Sequence, residues 1–242
     1  MGTGTVLSHE RIGILGGTFD PPHRGHVDLA RAAREAAGLD RVLFVVAARP
    51  PFKEGATHAS AEDRLALVEV TLADAGDPAF EASRIELDRP GVSYTIDTVH
   101  ELQQQFPCAE FYFIVGSDTI ADLPQWKDAA ELARALRFIV NLREGGPQQI
   151  SPPEGFDLLV IKGNVPEVSS SQMRQELAAG EPTGDLLSPA TKAYIEKHGL
   201  YRVGATGASS VLRFRHCGLR AGISAPEIPG QAQDDIRESN AL

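Results

Sequence analysis

Arg11-Ile12-Gly13-Ile14-Leu15-Gly16-Gly17-Thr18-Phe19-Asp20-Pro21-Pro22-His23-Arg24-Gly25-His26 is the stretch whose reading decides the fold. Residues 11–15 are a short, nearly all-apolar run that reads as a buried strand, and the Gly16-Gly17 pair stops it. Residues 26–37 (HVDLARAAREAA) follow with helical periodicity, placing Val27, Ala30, Ala33 and Ala37 along one face, and Gly38 is the stop. The unit is therefore strand, glycine loop, helix. In a doubly wound sheet ligands bind beyond the C-terminal ends of the strands, which is where this loop must lie. Two glycines let backbone approach a phosphate closely, and a helix N-terminus offers unpaired N–H groups and the positive end of a dipole. His23 and His26 are spaced to put both rings on one face of the helix start. Two imidazoles over an anion hole suit a triphosphate whose negative charge shifts during reaction. The plainer reading is a Gly-Pro loop with two surface histidines; the pairing behind two glycines and a first strand weighs against it.

The same alternation continues outward. Residues 41–47 (RVLFVVA) form a continuous apolar run, the pattern of a strand covered on both faces. A proline-rich loop covers 48–57. Ser60 and Asp63 make a variant capping box for a helix whose apolar face is Leu65, Val68 and Leu72. Strand-like pieces are expected at 80–82 and 85–87, a helix over 95–105, and a strand over 110–115 ending at Gly116-Ser117-Asp118. Helix-like 128–136 and strand-like 137–142 and 158–161 follow. Two helices close the order. Ser170 or Ser171 caps the first, which Gly180 ends; Ser188 caps the second, with Pro189 in its first turn and Gly199 after it. The expectation is an α/β fold, a doubly wound parallel sheet with a small C-terminal helical segment. Residues 203–242, rich in Gly, Ala and Ser, read as a flexible C-terminal extension, with a short strand at 211–215 and an acidic-polar tail at 226–242.

Composition narrows the function. The chain has 242 residues, 42% of them hydrophobic, enough for one domain and a tail. A formal charge of −10 and the lack of a basic stripe speak against a broad nucleic-acid footprint. Cys108 and Cys217 are far apart and in no metal-binding spacing, so they read as reduced thiols and the cytoplasm as the default compartment. No apolar run is long enough to span a membrane. Neither GxxxxGK[ST] nor a GxGxxG after a strand occurs, which disfavours P-loop kinases and NAD-dependent dehydrogenases.

Gly16–His26, GGTFDPPHRGH, resembles the nucleotide-binding signature of the nucleotidylyltransferase superfamily, with its H-x-G-H element, and looks most like the bacterial nicotinate mononucleotide adenylyltransferases. Four more segments match in order. They are Pro50-Pro51-Phe52-Lys53; Gly91-Val92-Ser93-Tyr94-Thr95-Ile96-Asp97-Thr98; Gly116-Ser117-Asp118 with Leu123 and Trp126; and Val168-Ser169-Ser170-Ser171-Gln172-Met173-Arg174. The last departs from the family's I-S-S-T-x-[IL]-R at Val168 and Ser171, where the hydroxyl is kept. The resemblance covers residues 11–202, which form the expected nucleotidylyltransferase domain.

The resemblance implies a Rossmann-like fold and transfer of AMP from ATP to nicotinate mononucleotide, with pyrophosphate released. It implies that His23, His26 and Arg174 are catalytic. It places Gly16, Gly17, Thr18, Phe19, Gly25, Lys53, Gly116, Asp118, Ser170 and Ser171 around ATP, and Tyr94, Thr95 and Trp126 around nicotinate mononucleotide. Plainer roles stand beside these: helix capping for Ser170, Ser171 and Thr95, a turn for Asp118, a solvated surface for Lys53, the core for Trp126. Arg suits phosphate by its planar fork of donors, and an indole face suits a flat, electron-poor pyridine ring. The other histidines, His9, His58, His100, His198 and His216, read as surface or packing residues. Mg²⁺ is expected to arrive with ATP, without a dedicated carboxylate cage. A homo-oligomer stays open. Rival readings are a relative with another acceptor, such as phosphopantetheine, nicotinamide mononucleotide or a cytidylyltransferase substrate, and a non-catalytic nucleotide-binding regulator.

Overall fold

The computed structural model describes residues 9–49, 57–142 and 151–202. Six strands are β1 (Arg11–Gly17), β2 (Arg41–Val46), β3 (Phe80–Ser83), β4 (Glu110–Gly116), β5 (Arg137–Asn141) and β6 (Leu158–Ile161). They form one sheet in the order β3-β2-β1-β4-β5-β6, and every neighbouring pair is parallel. The six helices are α1 (Arg24–Ala37), α2 (Ala61–Ala75), α3 (Thr95–Gln105), α4 (Ala129–Ala135), α5 (Ser170–Ala179) and α6 (Pro189–His198). The chain starts in the middle of the sheet, winds outward through β2 and β3, then returns to β4 and winds the other way. This is the expected doubly wound architecture.

Strand side chains alternate between faces, so apolar runs without polar interruptions mean that both faces are covered. Ile12, Ile14, Leu43, Val45, Phe111, Phe113, Phe138 and Val140 pack on one side, with Ile96, Val99 and Leu102 of α3 and Leu132 of α4. Leu15, Val42, Phe44, Val46, Tyr112, Ile114 and Ile139 face the other side, against Val27, Ala30 and Ala33 of α1 and Leu65, Val68 and Leu72 of α2. A third cluster joins Leu67 on the outer side of α2 to Met173 of α5, Leu187, Ile195 of α6 and Tyr201. Thr71 and Thr191 hydroxyls, 2.6 Å apart and buried, tie α2 to α6. Through this cluster α5 and α6 are anchored to the sheet.

Three boundaries differ from the sequence reading. α1 begins at Arg24, not His26, because His23 takes the extended N-cap conformation (φ −145°, ψ 169°). The cap of α5 is Ser169, one residue before the expected serines, and its hydroxyl accepts from the Gln172 N–H at 3.1 Å. Residues 85–87 are a turn rather than a strand, since the N–H groups of Leu87 and Asp88 both bond to the Arg84 carbonyl. Ile85 is nonetheless in the core at 9% exposure, and that burial is what its apolar pattern reflected. The 211–215 strand and the 226–242 tail lie outside the described residues.

Met173 is fully buried where α5 meets α2. Met173→Ala is expected to cost about 2–5 kcal/mol, the range for truncating a well-packed core side chain. Urea unfolding measures this, and a loss under about 0.5 kcal/mol would contradict the anchoring role.

Candidate active site

The crevice follows from where the strands stop pairing. β1 keeps its register with β2 through Gly17↔Val46. With β4 it pairs only through Ile14↔Phe113. Beyond Ile14 the two central strands part, at the point where the winding reverses, and the space outside their C-terminal ends is where ligands of such sheets sit. Gly16 and Gly17 line one lip and Gly116 the other. The Phe113 ring forms the floor between them. A Cβ on Gly16 would lie 3.4 Å from it, and Trp126 stands edge-on to it with centroids 5.6 Å apart.

The loop from Thr18 to His23 crosses this crevice into α1. Phe19 adopts a left-handed conformation (φ 49°), which turns its ring into the core at 1% exposure, against Phe44 and the edge of His26. His23 and His26 stack with centroids 3.7 Å apart and planes 24° off parallel, the shared face that their spacing predicted. The His23 N–H donates to Nδ1 of His26 at 3.1 Å. This is half of a capping box, with an imidazole in the place of the usual carboxylate. It fixes Nδ1 as an acceptor, so a neutral His26 carries its proton on Nε2. Burial of the ring, then the neighbouring His23, push the His26 pKa well below the ordinary 6.5. Gly25 lies under the stack. A Cβ there would come within 3.0 Å of both His23 Nδ1 and Val168 Cγ1, so the two rings and the chain entering α5 can close only over a glycine.

What holds the loop in place comes from far along the chain. Arg174 donates from Nη1 to the Asp20 carbonyl at 2.7 Å and from Nη2 to the Ser171 hydroxyl at 3.0 Å. The Ser170 hydroxyl donates to the Pro21 carbonyl at 2.9 Å. The start of α5 therefore sits against the histidine loop, and Ser170, Ser171, Arg174, His23 and His26 converge as the sequence reading expected. The Asp20 carboxylate, 2% exposed, accepts from the His58 N–H (2.7 Å), the Ala59 N–H (3.1 Å) and the Tyr201 hydroxyl (2.7 Å). Burial and this carboxylate push the Tyr201 phenol far upward, so it stays a donor. Arg64, 1% exposed, donates to the Thr18 and Ala47 carbonyls at 2.8 Å each, joining the ends of β1 and β2.

A second group collects on the other side of Phe113. Gly116 leads into a 3-10 segment, Ser117–Gln125. Asp118 is exposed on its first turn and Trp126 is half-buried at its end. Tyr94 is the N-cap of α3 and Thr95 its first residue; no side chain caps that terminus. The Lys127 ammonium lies 4.7 Å over the Tyr94 ring and pairs with Asp97 at 2.9 Å. Tyr94, Thr95 and Trp126 are thus neighbours, and Trp126 is a rim residue resting on the core. Lys53 lies outside the described residues.

Asp20, Arg64, Lys127 and Tyr201 were not singled out from sequence. A signal existed for Arg64: it shares the inner face of α2 with Val68, and a charge on an apolar stripe needs buried acceptors. Tyr201→Phe removes one donor from the buried Asp20 carboxylate. The expected loss of stability is about 1–3 kcal/mol by denaturant unfolding; no change would mean that the carboxylate does not depend on the phenol.

Comparison with known proteins agrees with this geometry. The cytidylyltransferase-like family model matches residues 14–176. A Thermus thermophilus protein named "Probable nicotinate-nucleotide adenylyltransferase" is 45% identical over 79% of this chain and all of its own length. A Gloeobacter violaceus protein of the same name is 43% identical over 81% of this chain and 98% of its own. Among solved structures, Plasmodium falciparum nicotinic acid mononucleotide adenylyltransferase complexed with NaAD superposes with a TM-score of 0.64. It covers 80% of this chain and 98% of that one at 23% identity, a likeness of fold. The chain belongs to the cytidylyltransferase-like family of nucleotidyltransferases, alongside the nicotinate-nucleotide adenylyltransferases.

Proposed function

We propose that the chain transfers the AMP part of ATP to the phosphate of nicotinate mononucleotide, giving nicotinate adenine dinucleotide and pyrophosphate, as a cytoplasmic step of NAD synthesis. The observation that carries the reading is the stacked His23–His26 pair at the N-terminus of α1, closed by Arg174 and Ser170 of α5 over the crevice between β1 and β4. In the reaction, a phosphate oxygen of the mononucleotide attacks the α-phosphorus in line. The bond to the α,β-bridging oxygen breaks, and pyrophosphate leaves with the electron pair. The nucleophile is already an anion near neutral pH, so alignment and charge stabilisation carry catalysis rather than a general base. His26 offers Nε2–H, the backbone beside Gly16 and Thr18 faces the phosphates, and Arg174 supplies its guanidinium to the β- and γ-phosphates.

The donors gathered here (imidazoles, a guanidinium, hydroxyls and amides) suit an anion, with the Asp118 carboxylate just beyond β4. That set fits Mg²⁺ that travels on the triphosphate with most of its waters, for which Asp118 is the residue that would contact it or the ribose. When bound, the ion would offset charge on the phosphates. At the other end, the uncapped N-terminus of α3 at Thr95 and the Lys127 ammonium over Tyr94 favour a carboxylate on the pyridine ring, and the Trp126 indole offers the ring a face.

An end-point assay with ATP and Mg²⁺, offering nicotinate mononucleotide, nicotinamide mononucleotide and phosphopantetheine separately, is expected to yield pyrophosphate and dinucleotide mainly with the first. His26→Ala should lower kcat about 10²-fold or more while the unfolding midpoint stays within a few degrees. Product with another acceptor would move the substrate assignment, and wild-type turnover by His26→Ala would remove the role of the imidazole.

A further inference from the structure

Glu86 is a buried carboxylate, 8% exposed, that no step above uses. Burial pushes its pKa upward, while hydrogen bonds from Thr98 and Ser93 and the nearby Arg89 oppose that rise and Glu101 adds to it. The Thr98 hydroxyl, 2% exposed, donates to Glu86 Oε1 at 2.7 Å and accepts from Arg89 Nη2 at 2.9 Å. Arg89 in turn pairs with Glu101 at 2.8 Å. The Ser93 oxygen accepts from the Ala48 and Arg49 N–H groups at 3.2 Å each, and the Ser93 N–H donates to the Arg49 carbonyl at 2.9 Å.

A hydroxyl has one proton to give. Ser93 spends both lone pairs on backbone N–H groups, and Thr98 accepts from a guanidinium, so each can complete its bonding by donating to an acceptor. An ionised carboxylate supplies acceptors for both at once. Ser93 and Thr98 bracket Tyr94 and Thr95, the start of α3, while Ala48 and Arg49 are the exit from β2. Glu86 thus bonds the first turn of α3 through Thr98, and Ser93, one residue before the Tyr94 cap, ties that helix start to the exit of β2.

We infer that Glu86 is a positioning residue for the acceptor half of the site: through Ser93 and Thr98 it fixes the Tyr94–Thr95 helix start, and it thereby sets affinity for the pyridine mononucleotide and not for ATP. The inference rests on the proposed acceptor. The ATP-side elements, the His23–His26 stack, Arg174 and Ser170, make none of these bonds.

Glu86→Gln keeps the shape of the side chain but puts an NH₂ donor in place of one of the two carboxylate oxygens. In steady-state assays it is expected to raise KM for nicotinate mononucleotide about tenfold, equivalent to about 1.4 kcal/mol, with KM for ATP within twofold. Ser93→Ala leaves the Glu86–Thr98 bond intact and should raise the same KM about threefold, which decides the matter if Glu86→Gln does not fold. Combined, the two substitutions should raise it less than the product of their separate effects. Equal rises in both KM values, or a mononucleotide KM within twofold of wild type in every folded variant, would overturn the inference. Absence of product from wild-type enzyme and nicotinate mononucleotide is a different result. It would remove the proposed function on which the inference stands.

Discussion

Asp20 accepts hydrogen bonds from segments that lie far apart in the chain. Its side chain takes the N–H groups of His58 and Ala59 and the hydroxyl of Tyr201, and its own carbonyl takes Arg174. A carboxylate buried to this degree is costly unless several donors replace the water it has lost. Those donors can converge only when β1, the approach to α2, α5 and the segment after α6 are all in place. The constraint therefore runs in both directions. The fold must be complete for the Asp20 side chain to be satisfied, and Asp20 in turn holds the loop that carries His23 and His26.

From that anchor the crevice divides into two halves supported differently. On the β1 side, backbone carbonyls are held by cations: Arg64 on Thr18 and Ala47, Arg174 on Asp20. Charge is brought to the loop from α2 and α5, while the first N–H of α1, at Arg24, donates to the Leu186 carbonyl at 2.8 Å. On the α3 side the support is a hydroxyl network on Glu86, with the Lys127–Tyr94–Asp97 contacts at the surface. Phe113 stands between the halves, touching the Gly16 lip and Trp126. Its place in the middle of β4 links the register of the sheet to the separation of the two proposed ligand sites.

Local signals were read well where one segment carries its own period or cap. The apolar runs of β1, β2 and β4, the α3 span and the Ser60 and Ser188 caps follow from the residues themselves. The closeness of His23 and His26 follows from their spacing too, although they meet as N-cap and N3 and not as two helical residues. The start of α1 was displaced because a histidine acting as N-cap has no place among the usual capping residues. Residues 85–87 misled because burial, not pairing, drove their composition. Asp20, Tyr201 and Glu86 were beyond reach for one reason. Their partners are contributed by other elements, up to 181 residues away in the case of Tyr201, and spacing within a segment cannot show them. Trp126 and Tyr94 were placed through resemblance, and the physical link between them, Lys127 lying on the Tyr94 ring, became visible only in three dimensions.

In the proposed function the loop between β1 and α1 is a preformed anion site whose His26 imidazole is neutral until polyphosphate arrives. A folded-state pKa below the ordinary imidazole value means that the unfolded chain binds the proton more readily. His26 accordingly subtracts stability as pH falls below about 6.5 and contributes none of this effect above it. A triphosphate at Nε2 should reverse the shift, so that binding takes up a proton. The most direct measurement is the ¹⁵N titration of the His26 ring by NMR, in the free protein and with a non-hydrolysable ATP analogue. The expected result is a midpoint below 6.5 in the free protein, with Nδ1 the unprotonated nitrogen, and a higher midpoint with the analogue. An ordinary midpoint that the analogue leaves unmoved would contradict it.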